Sequence, residues 1–362
     1  MNLKTTPLHS QSEKLGAKFA PFGGWDMPIS YSGIIDEHNW TRKSACLFDI
    51  CHMGEFIISG AGAGDALNKI VTMNIEEIPV KACRYGFMLN ENGGIIDDLI
   101  VYKIDNNKFM MVVNAATKDI DLTNLKKHLP EDISLEDISD KTAKIDLQGP
   151  LSRDILKEII SADIEKLTYY TFSYFDVLGE NSIVSRTGYT GELGYEIYIS
   201  AGKAVELWDT LLKDKRVKPG GLGARDTLRL EMSYPLYGHE LDNSTSPLEA
   251  GLGIFVDLDK EFIGKDVLVK QKEEGLLKRL VCFKVDSRRA PRNGYKILSG
   301  DKEIGVVSSG SFSPSLKRGI GMGYVEADYR TAGTKVTLGD GRVKIKAEII
   351  KRPFYKEGSL RK

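Results

Sequence analysis

The dipeptide Asn92-Gly93 lies between two apolar runs, Tyr85-Gly86-Phe87-Met88-Leu89 and Ile95-Ile96-Asp97-Asp98-Leu99-Ile100-Val101-Tyr102. Asn-Gly is the strongest short hairpin signal, because a two-residue type I′ turn needs φ > 0 at both central positions. Folding about it predicts the pairs Glu91/Gly94, Leu89/Ile96, Phe87/Asp98 and Tyr85/Ile100. Strand alternation sets Asp98 on one face with Ile96 and Ile100, and Asp97 on the other with Ile95 and Leu99. Tyr85 falls diagonal to Asp98, within reach of an aromatic side chain. Two adjacent carboxylates inside an apolar strand are costly unless each finds a partner. One reading is a satisfied structural Asp, since ion-pair networks also bury acids. The other is a functional acid. The tyrosine on the Asp98 face favours the functional one.

Residues 108–114 continue the hairpin as a third strand. If Asp105-Asn106-Asn107 is a three-residue loop, Ile104 pairs with Lys108 and Asn114 lies opposite Asp98. A two-residue loop would slip the register by one and turn Asn114 to the other face. The three-residue loop is expected.

The rest of the chain narrows the function classes. Its 362 residues suggest two or three domains. A net charge of −1 gives no global field to attract nucleic acid. No apolar run approaches the ~20 residues needed to span a bilayer, and the first ten residues lack a signal or transit pattern. A cytoplasmic protein is expected. Cys46, Cys51, Cys83 and Cys282 show no C-x-x-C spacing, and the five histidines no H-E-x-x-H pattern, so no metal site is expected. There is no Walker loop, nor a G-x-G-x-x-G after a strand.

Along the chain, Gly23-Gly24-Trp25 marks an aromatic-anchored loop, residues 34–44 a helix and 47–50 a short strand. A helix precedes the hairpin, and residues 116–129 form another. Residues 142–147, 172–177, 182–186 and 197–200 read as strands. Pro219-Gly220-Gly221 is expected to open a helix through Met232, whose N-terminal N–H groups could bind an anion. Arg225 on it would ordinarily pair with Asp226 or Glu231. Beyond 241, short strands at 280–285, 295–298, 305–309, 323–325, 335–338 and 343–349 suggest a small antiparallel barrel or sandwich. The basic stretch 344–362 reads as an ordinary solvated strand and terminus.

Six motifs then match one family in order: Gly24-Trp25-Asp26-Met27-Pro28, Cys51-His52-Met53-Gly54-Glu55, Asn90-Glu91-Asn92-Gly93-Gly94-Ile95-Ile96-Asp97-Asp98, Ser185-Arg186-Thr187-Gly188-Tyr189-Thr190-Gly191-Glu192, Gly221-Leu222-Gly223-Ala224-Arg225-Asp226 through Glu231, and Ser309-Gly310-Ser311-Phe312-Ser313-Pro314. The chain resembles the aminomethyltransferases, the T-proteins of the glycine cleavage system, over essentially its whole length. The resemblance implies an α+β fold: a three-domain cloverleaf around a central folate channel, with two α+β domains with antiparallel sheets and a C-terminal small β-barrel. Residues 1–52 and 140–240 would form a discontinuous first domain, 53–139 an inserted domain, and 241–362 the barrel domain.

It also implies an enzyme, a transferase. That enzyme moves the one-carbon unit from aminomethyl-dihydrolipoyl H-protein to tetrahydrofolate. Ammonia, 5,10-methylenetetrahydrofolate and dihydrolipoyl H-protein are the products. The partners would be lipoylated H-protein and tetrahydrofolate as co-substrate, with no nucleic acid or membrane. The family's essential acid aligns with Asp98. Glu196 matches the carboxylate that meets the pterin edge, and Met53, Tyr85, Asn114, Tyr189, Arg225 and Tyr234 match other pocket positions, with Arg361 more loosely aligned. Cys51 departs from the family's usual Ser and would set a thiol near the pocket. Two alternatives share the pocket: a folate-dependent demethylase of a methylated amine or sulfonium compound, and a non-enzymatic folate-binding protein. Lys81-Ala82-Cys83-Arg84-Tyr85 lacks the Lys-Gly-Cys-Tyr signature of the last.

Overall fold

A computed structural model describes residues 3–160 and 162–360. The protein is α+β, with mainly antiparallel sheets and a closed barrel. A six-stranded sheet runs in the order Phe172–Val177, Glu180–Ser185, Gly194–Ser200, Thr142–Gln148, Ala45–Asp49, Val217–Gly220. A five-stranded sheet runs Cys83–Leu89, Ile95–Asp105, Lys108–Val113, Gly54–Ser59, Ser134–Asp137. All five of its strands fall in sequence between the first and second strands of the other sheet, Ala45–Asp49 and Thr142–Gln148. Among the described residues, no helix is long and apolar enough to cross a membrane.

The hairpin forms with a different turn. Gly93 has φ +74°, but Asn92 is not left-handed, so the turn is not type I′. The Gly93 N–H donates to Asn90 O at 3.0 Å, and the Asn90 N–H to Gly94 O at 2.9 Å. This is a three-residue loop, a tight turn followed by a left-handed glycine. The Asn90 side chain selects it: its Oδ1 accepts the N–H groups of Asn92 and Gly94 at 2.9 and 3.0 Å. Leu89 therefore faces Ile95 rather than Ile96. An irregularity after Met88 restores the expected register, with Phe87 opposite Asp98 and Tyr85 opposite Ile100.

The third strand also departs from expectation. Asp105 faces Lys108 across a two-residue loop. That would have turned Asn114 away, but the register shifts between Lys103 and Asp105, bulging Ile104. Lys103 then faces Phe109 and Ile100 faces Val112. A bulge absorbs one residue and so cancels a one-residue slip. Two steps further, Asn114 lies on the Asp98 side after all.

Pro219 does not open a helix. It lies in Val217–Gly220, an edge strand parallel to Ala45–Asp49, where its missing N–H is tolerated. The helix Leu222–Glu231 starts after it. Its N-terminus has an internal anion, since Glu37 Oε2 accepts the Gly221 N–H at 2.8 Å. The barrel closes in the order Lys278–Val285, Arg318–Glu326, Lys302–Ser313, Lys296–Ser299, Lys335–Gly339, Lys344–Ile350. A helix at Lys265–Glu274, not anticipated from sequence, packs Leu268 with Phe87, Leu89 and Ile95 of the hairpin.

Two apolar clusters join the parts. Cys83, Tyr102, Met110 and Val112 of the five-stranded sheet pack on Phe172, Ile183 and Tyr198 of the other. Leu230 packs on Leu280, Cys282, Ile320, Met322 and Phe354. The stretch after the last barrel strand is not a loose terminus. Phe354 is buried, the Tyr355 N–H donates to Glu231 O at 2.9 Å, and the Ser359 N–H to Glu192 at 2.8 Å.

Candidate functional site

Asp98 is held by its own hairpin and the strand beside it. The Tyr85 hydroxyl donates to Asp98 Oδ2 at 3.0 Å. Asn114 Nδ2 lies 2.9 Å from Asp98 Oδ1 and 2.9 Å from Asp97 Oδ1, so its two amide hydrogens can serve both carboxyls at once. The Asn114 backbone N–H donates to Asp97 Oδ2 at 2.9 Å. Asp97 is fully buried, whereas Asp98 is partly exposed. Burial pushes the Asp98 carboxyl up to about 7, with Asp97's charge adding and the Tyr85 and Asn114 hydrogen bonds opposing. Such a group exchanges a proton near neutral pH.

Asp98, Ile100 and Tyr102 share one strand face, and that face meets the six-stranded sheet. The Tyr102 hydroxyl lies 2.9 Å from that of Tyr198 and 3.4 Å from Glu196 Oε2. Glu196 Oε1 is 3.2 Å from Lys144 Nζ, and its Oε2 accepts the Thr187 hydroxyl at 2.7 Å. Burial raises the Glu196 carboxyl, but Lys144, Thr187 and Arg225 outweigh it and hold it below its ordinary value. It stays an anion. Its Oε1, beside Lys144, keeps lone-pair capacity, whereas Oε2 takes the Thr187 hydroxyl and lies within reach of those of Tyr102 and Tyr198.

Arg225 does not pair with Asp226 or Glu231. Its partner is Asp146 on the strand Thr142–Gln148, at 2.5 Å and fully buried. The Arg225 guanidinium stands 5.0 Å from the Tyr189 ring centroid, and Tyr189 stacks on Tyr234 at 5.7 Å and 23°. The Tyr189 hydroxyl donates to Pro235 O. Met53 Sδ lies 3.4 Å from Lys144 Nζ. The loop carrying Tyr189 needs its glycines: a Cβ on Gly188 would lie 2.2 Å from Gln148 Oε1, and Gly191 has φ +78° against Met232.

Met53, Tyr85, Asn114, Tyr189, Glu196, Arg225 and Tyr234 all surround this region with Asp98; Arg361 lies outside the described residues. Four buried polar residues were missed. Lys144, Asp146 and Gln148 alternate along one strand, a polar face that reads as solvated until Glu196 and Arg225 are placed against it. His52 has a buried Nδ1 without a hydrogen bond among the described residues, and burial together with Arg225 and Lys144 pushes its ring down to about 3, so it is neutral. Cys51 is buried, donates to Lys144 O at 3.4 Å, and is pushed well above the ordinary thiol range by burial. It is no thiolate nucleophile. Among the described residues, no group of three or more His, Cys, Asp or Glu is placed to hold a metal ion.

The site groups a proton-exchanging carboxyl, a buried carboxylate flanked by cations, and an aromatic pair. That set can bind a polar heterocycle by its amide edge and stabilise a cation beside Asp98. Residues 8–260 match the family described as GCVT N-terminal domain, and residues 278–356 the glycine cleavage T-protein C-terminal barrel domain. The chain is 46% identical over 356 residues to an aminomethyltransferase of Halothermothrix orenii, covering 97% of this chain and 100% of that one. It is 42% identical to an aminomethyltransferase of Alkaliphilus oremlandii, covering 98% of each. The crystal structure of glycine cleavage system aminomethyltransferase T from Bartonella henselae superposes with a TM-score of 0.94 at 33% identity, covering 99% of each chain.

Proposed function

The chain belongs to the aminomethyltransferase family, the T-proteins of the glycine cleavage system, and we propose from that premise how its own residues serve the transfer. The donor in this reading is the aminomethyl group on the lipoyl arm of an H-protein, and tetrahydrofolate is the acceptor. The observation that carries it is Asp98, clamped by Tyr85 and Asn114 on the face that also reaches Glu196. The residues fit the acceptor. A pterin offers an amide and amino edge of N–H donors, and Glu196 is a buried anion with acceptor capacity left. Tyr189, Tyr234, Met53 and Arg225 supply flat, soft and cationic surface around it.

Bound tetrahydrofolate supplies the nitrogen nucleophile. The chain's part is electrostatic and protic. The Asp98 carboxylate stabilises positive charge on the one-carbon unit as ammonia departs, and it can take up a proton. Tyr85 and Asn114 hold its two oxygens in place while that charge develops. Lys144 and Arg225 keep Glu196 and Asp146 ionised in a buried site where unpaired carboxylates would be protonated. Residues 1–52 with 140–240, residues 53–139, and residues 241–362 are taken as the three units that enclose this site.

Two measurements test the reading. Tetrahydrofolate should raise the melting temperature, because a ligand that binds only the native state stabilises it by mass action. Glu196→Gln and Arg225→Ala should each blunt that shift; a full shift in both variants removes them from the folate site. The second concerns the carrier. Lys344, Lys346, Lys351 and Lys356 are exposed along the C-terminal stretch. Charge-steered docking is screened by salt. KM for an aminomethylated carrier should rise with ionic strength, and reversing these four charges should flatten the curve. Identical salt curves would leave them as solvated lysines.

A further inference from the structure

Behind Asp97, on the side away from Asp98, lies an acid that the transfer reading does not use. Asp121 sits in the first turn of the helix Lys118–His128 and is fully buried. Among the described residues, neither of its buried carboxyl oxygens has a hydrogen-bond partner of ordinary geometry. The Asp97 carboxyl and the Thr117 hydroxyl lie against it, and the two carboxyls are close enough for one proton to bridge them. Two ionised carboxylates are acceptors only, so a hydrogen bond between them requires a proton.

The surroundings say which one carries it. Asp97 already accepts the Asn114 backbone N–H and its side-chain amide, both at 2.9 Å. Donors aimed at a carboxylate favour its charged form. Asp121 has no comparable set. The groups that act on it most strongly are Asp97 and Asp98 from the hairpin and Thr117 from its own helix start, and it acts in turn on Tyr237. No cation is among these. Burial first, then the charge of Asp97, pushes the Asp121 carboxyl up to about 10.

We propose that Asp121 is a positioning residue of the aminomethyl-transfer site: its neutral carboxyl donates a hydrogen bond to Asp97, which fixes the Asn114 amide that in turn holds Asp98. The chain of contacts runs from Asp121 to Asp97, Asn114, Asp98 and Tyr85. The helix is thereby tied to the hairpin at the point where the reacting carboxyl is aimed. The proposal rests on the transfer reading for its kinetic consequence, but not for the location of the proton.

The test uses Asp121→Asn and Asp121→Ala in the full chain. Asn cannot ionise but still donates to Asp97; Ala does neither. A small displacement of a reacting group can cost up to about 10²-fold, so Asp121→Ala should lower kcat by roughly ten- to a hundredfold with tetrahydrofolate affinity nearly unchanged. Asp121→Asn should restore most of that loss. The pH profile separates positioning from bulk structure. Wild type should lose kcat on the alkaline side as Asp121 ionises beside Asp97, and Asp121→Asn should lack that limb. Equal losses in Asn and Ala, or an alkaline limb that survives in Asn, overturn the proposal.

The arm that needs no turnover is infrared difference spectroscopy at neutral pH. The wild-type minus Asp121→Asn difference spectrum should contain the carbonyl stretch of one protonated, hydrogen-bonded carboxyl, the bands of Glu55 and Asp98 cancelling. A difference spectrum with no such carbonyl band places the proton elsewhere and overturns the proposal. If the band behaves as expected but no aminomethyl donor is turned over, the transfer reading has failed and the shared proton stands.

Discussion

Asp98→Asn lowers kcat by roughly 10²–10⁴-fold, the range for loss of a positioned acid–base or charge-stabilising group. The substitution keeps the shape: Asn114 can still donate to the remaining oxygen, and the Tyr85 hydroxyl can accept from the new amide. What it removes is the negative charge and the proton site. Tetrahydrofolate affinity should change far less, because the pterin edge is assigned to Glu196. The pH dependence follows with a definite sign. Asp98 has its carboxyl raised to about 7 and works as the carboxylate, so kcat/KM should rise with pH through about 7. That acid limb should be gone in Asp98→Asn. Asp97→Asn is the control. Its oxygen can still accept from Asn114, and its amide can still hydrogen-bond the Asp121 carboxyl. Its kcat should stay within about tenfold, with any loss in stability on the order of 1–3 kcal/mol if a buried hydrogen bond breaks. Equal kcat losses in the two variants would sink the assignment of faces.

The second large effect is on stability, at the junction of the first sheet's helices with the barrel. Glu231 is fully buried and its carboxylate gathers partners from two distant parts of the chain. Arg42 lies at 2.8 Å, His38 Nε2 at 3.3 Å, the Ser313 hydroxyl at 2.5 Å and the Ser315 hydroxyl at 2.8 Å. Arg42 also reaches Glu192 at 2.8 Å and lies 4.1 Å from the Tyr355 ring. Removing one partner strands the other charge in a medium that cannot solvate it, which costs about 3–5 kcal/mol. Glu231→Leu should lose that much in denaturant unfolding, while Glu231→Gln, which keeps hydrogen bonds, should lose less. Burial raises the Glu231 carboxyl, but His38 and Arg42 outweigh it and bring it down to about 2. A depressed acid stabilises the fold above its unfolded pKa, near 4.5, and that contribution is lost as pH falls through about 2. Wild type and Glu231→Gln should therefore converge in stability on acidification. A Glu231→Leu loss under about 1 kcal/mol would mean that the network is no more than a surface-like pair.

Much of this was readable along the chain because it depends on short-range pattern. Alternation alone set Asp98 and Tyr85 on one face, and six separate strand signals beyond residue 241 were enough to suggest the barrel. The failures have local causes. Asn90 was read as part of a strand, yet its side chain caps the turn and trades a two-residue loop for a three-residue one. Ile104 gave no sign that it would bulge, so the loop length was wrong while the facing of Asn114 was right. Asp146 and Lys144 were invisible as site residues because their partners, Arg225 and Glu196, lie 79 and 52 positions away. Asp121 stands in the first turn of its helix, where the helix dipole favours any acid, exposed or buried; only the packing of that helix on the hairpin turns it inward. Long-range electrostatics, not local propensity, is what the sequence withheld.

The most direct test of the account is a single-turnover reaction of the wild-type protein with aminomethylated lipoyl carrier, with and without tetrahydrofolate. Ammonia and 5,10-methylenetetrahydrofolate are followed together. The account predicts that they appear at the same rate and in equal amounts when tetrahydrofolate is present, with the carrier left as its dihydrolipoyl form. Ammonia released equally fast without tetrahydrofolate, or with no methylenetetrahydrofolate formed beside it, would contradict it.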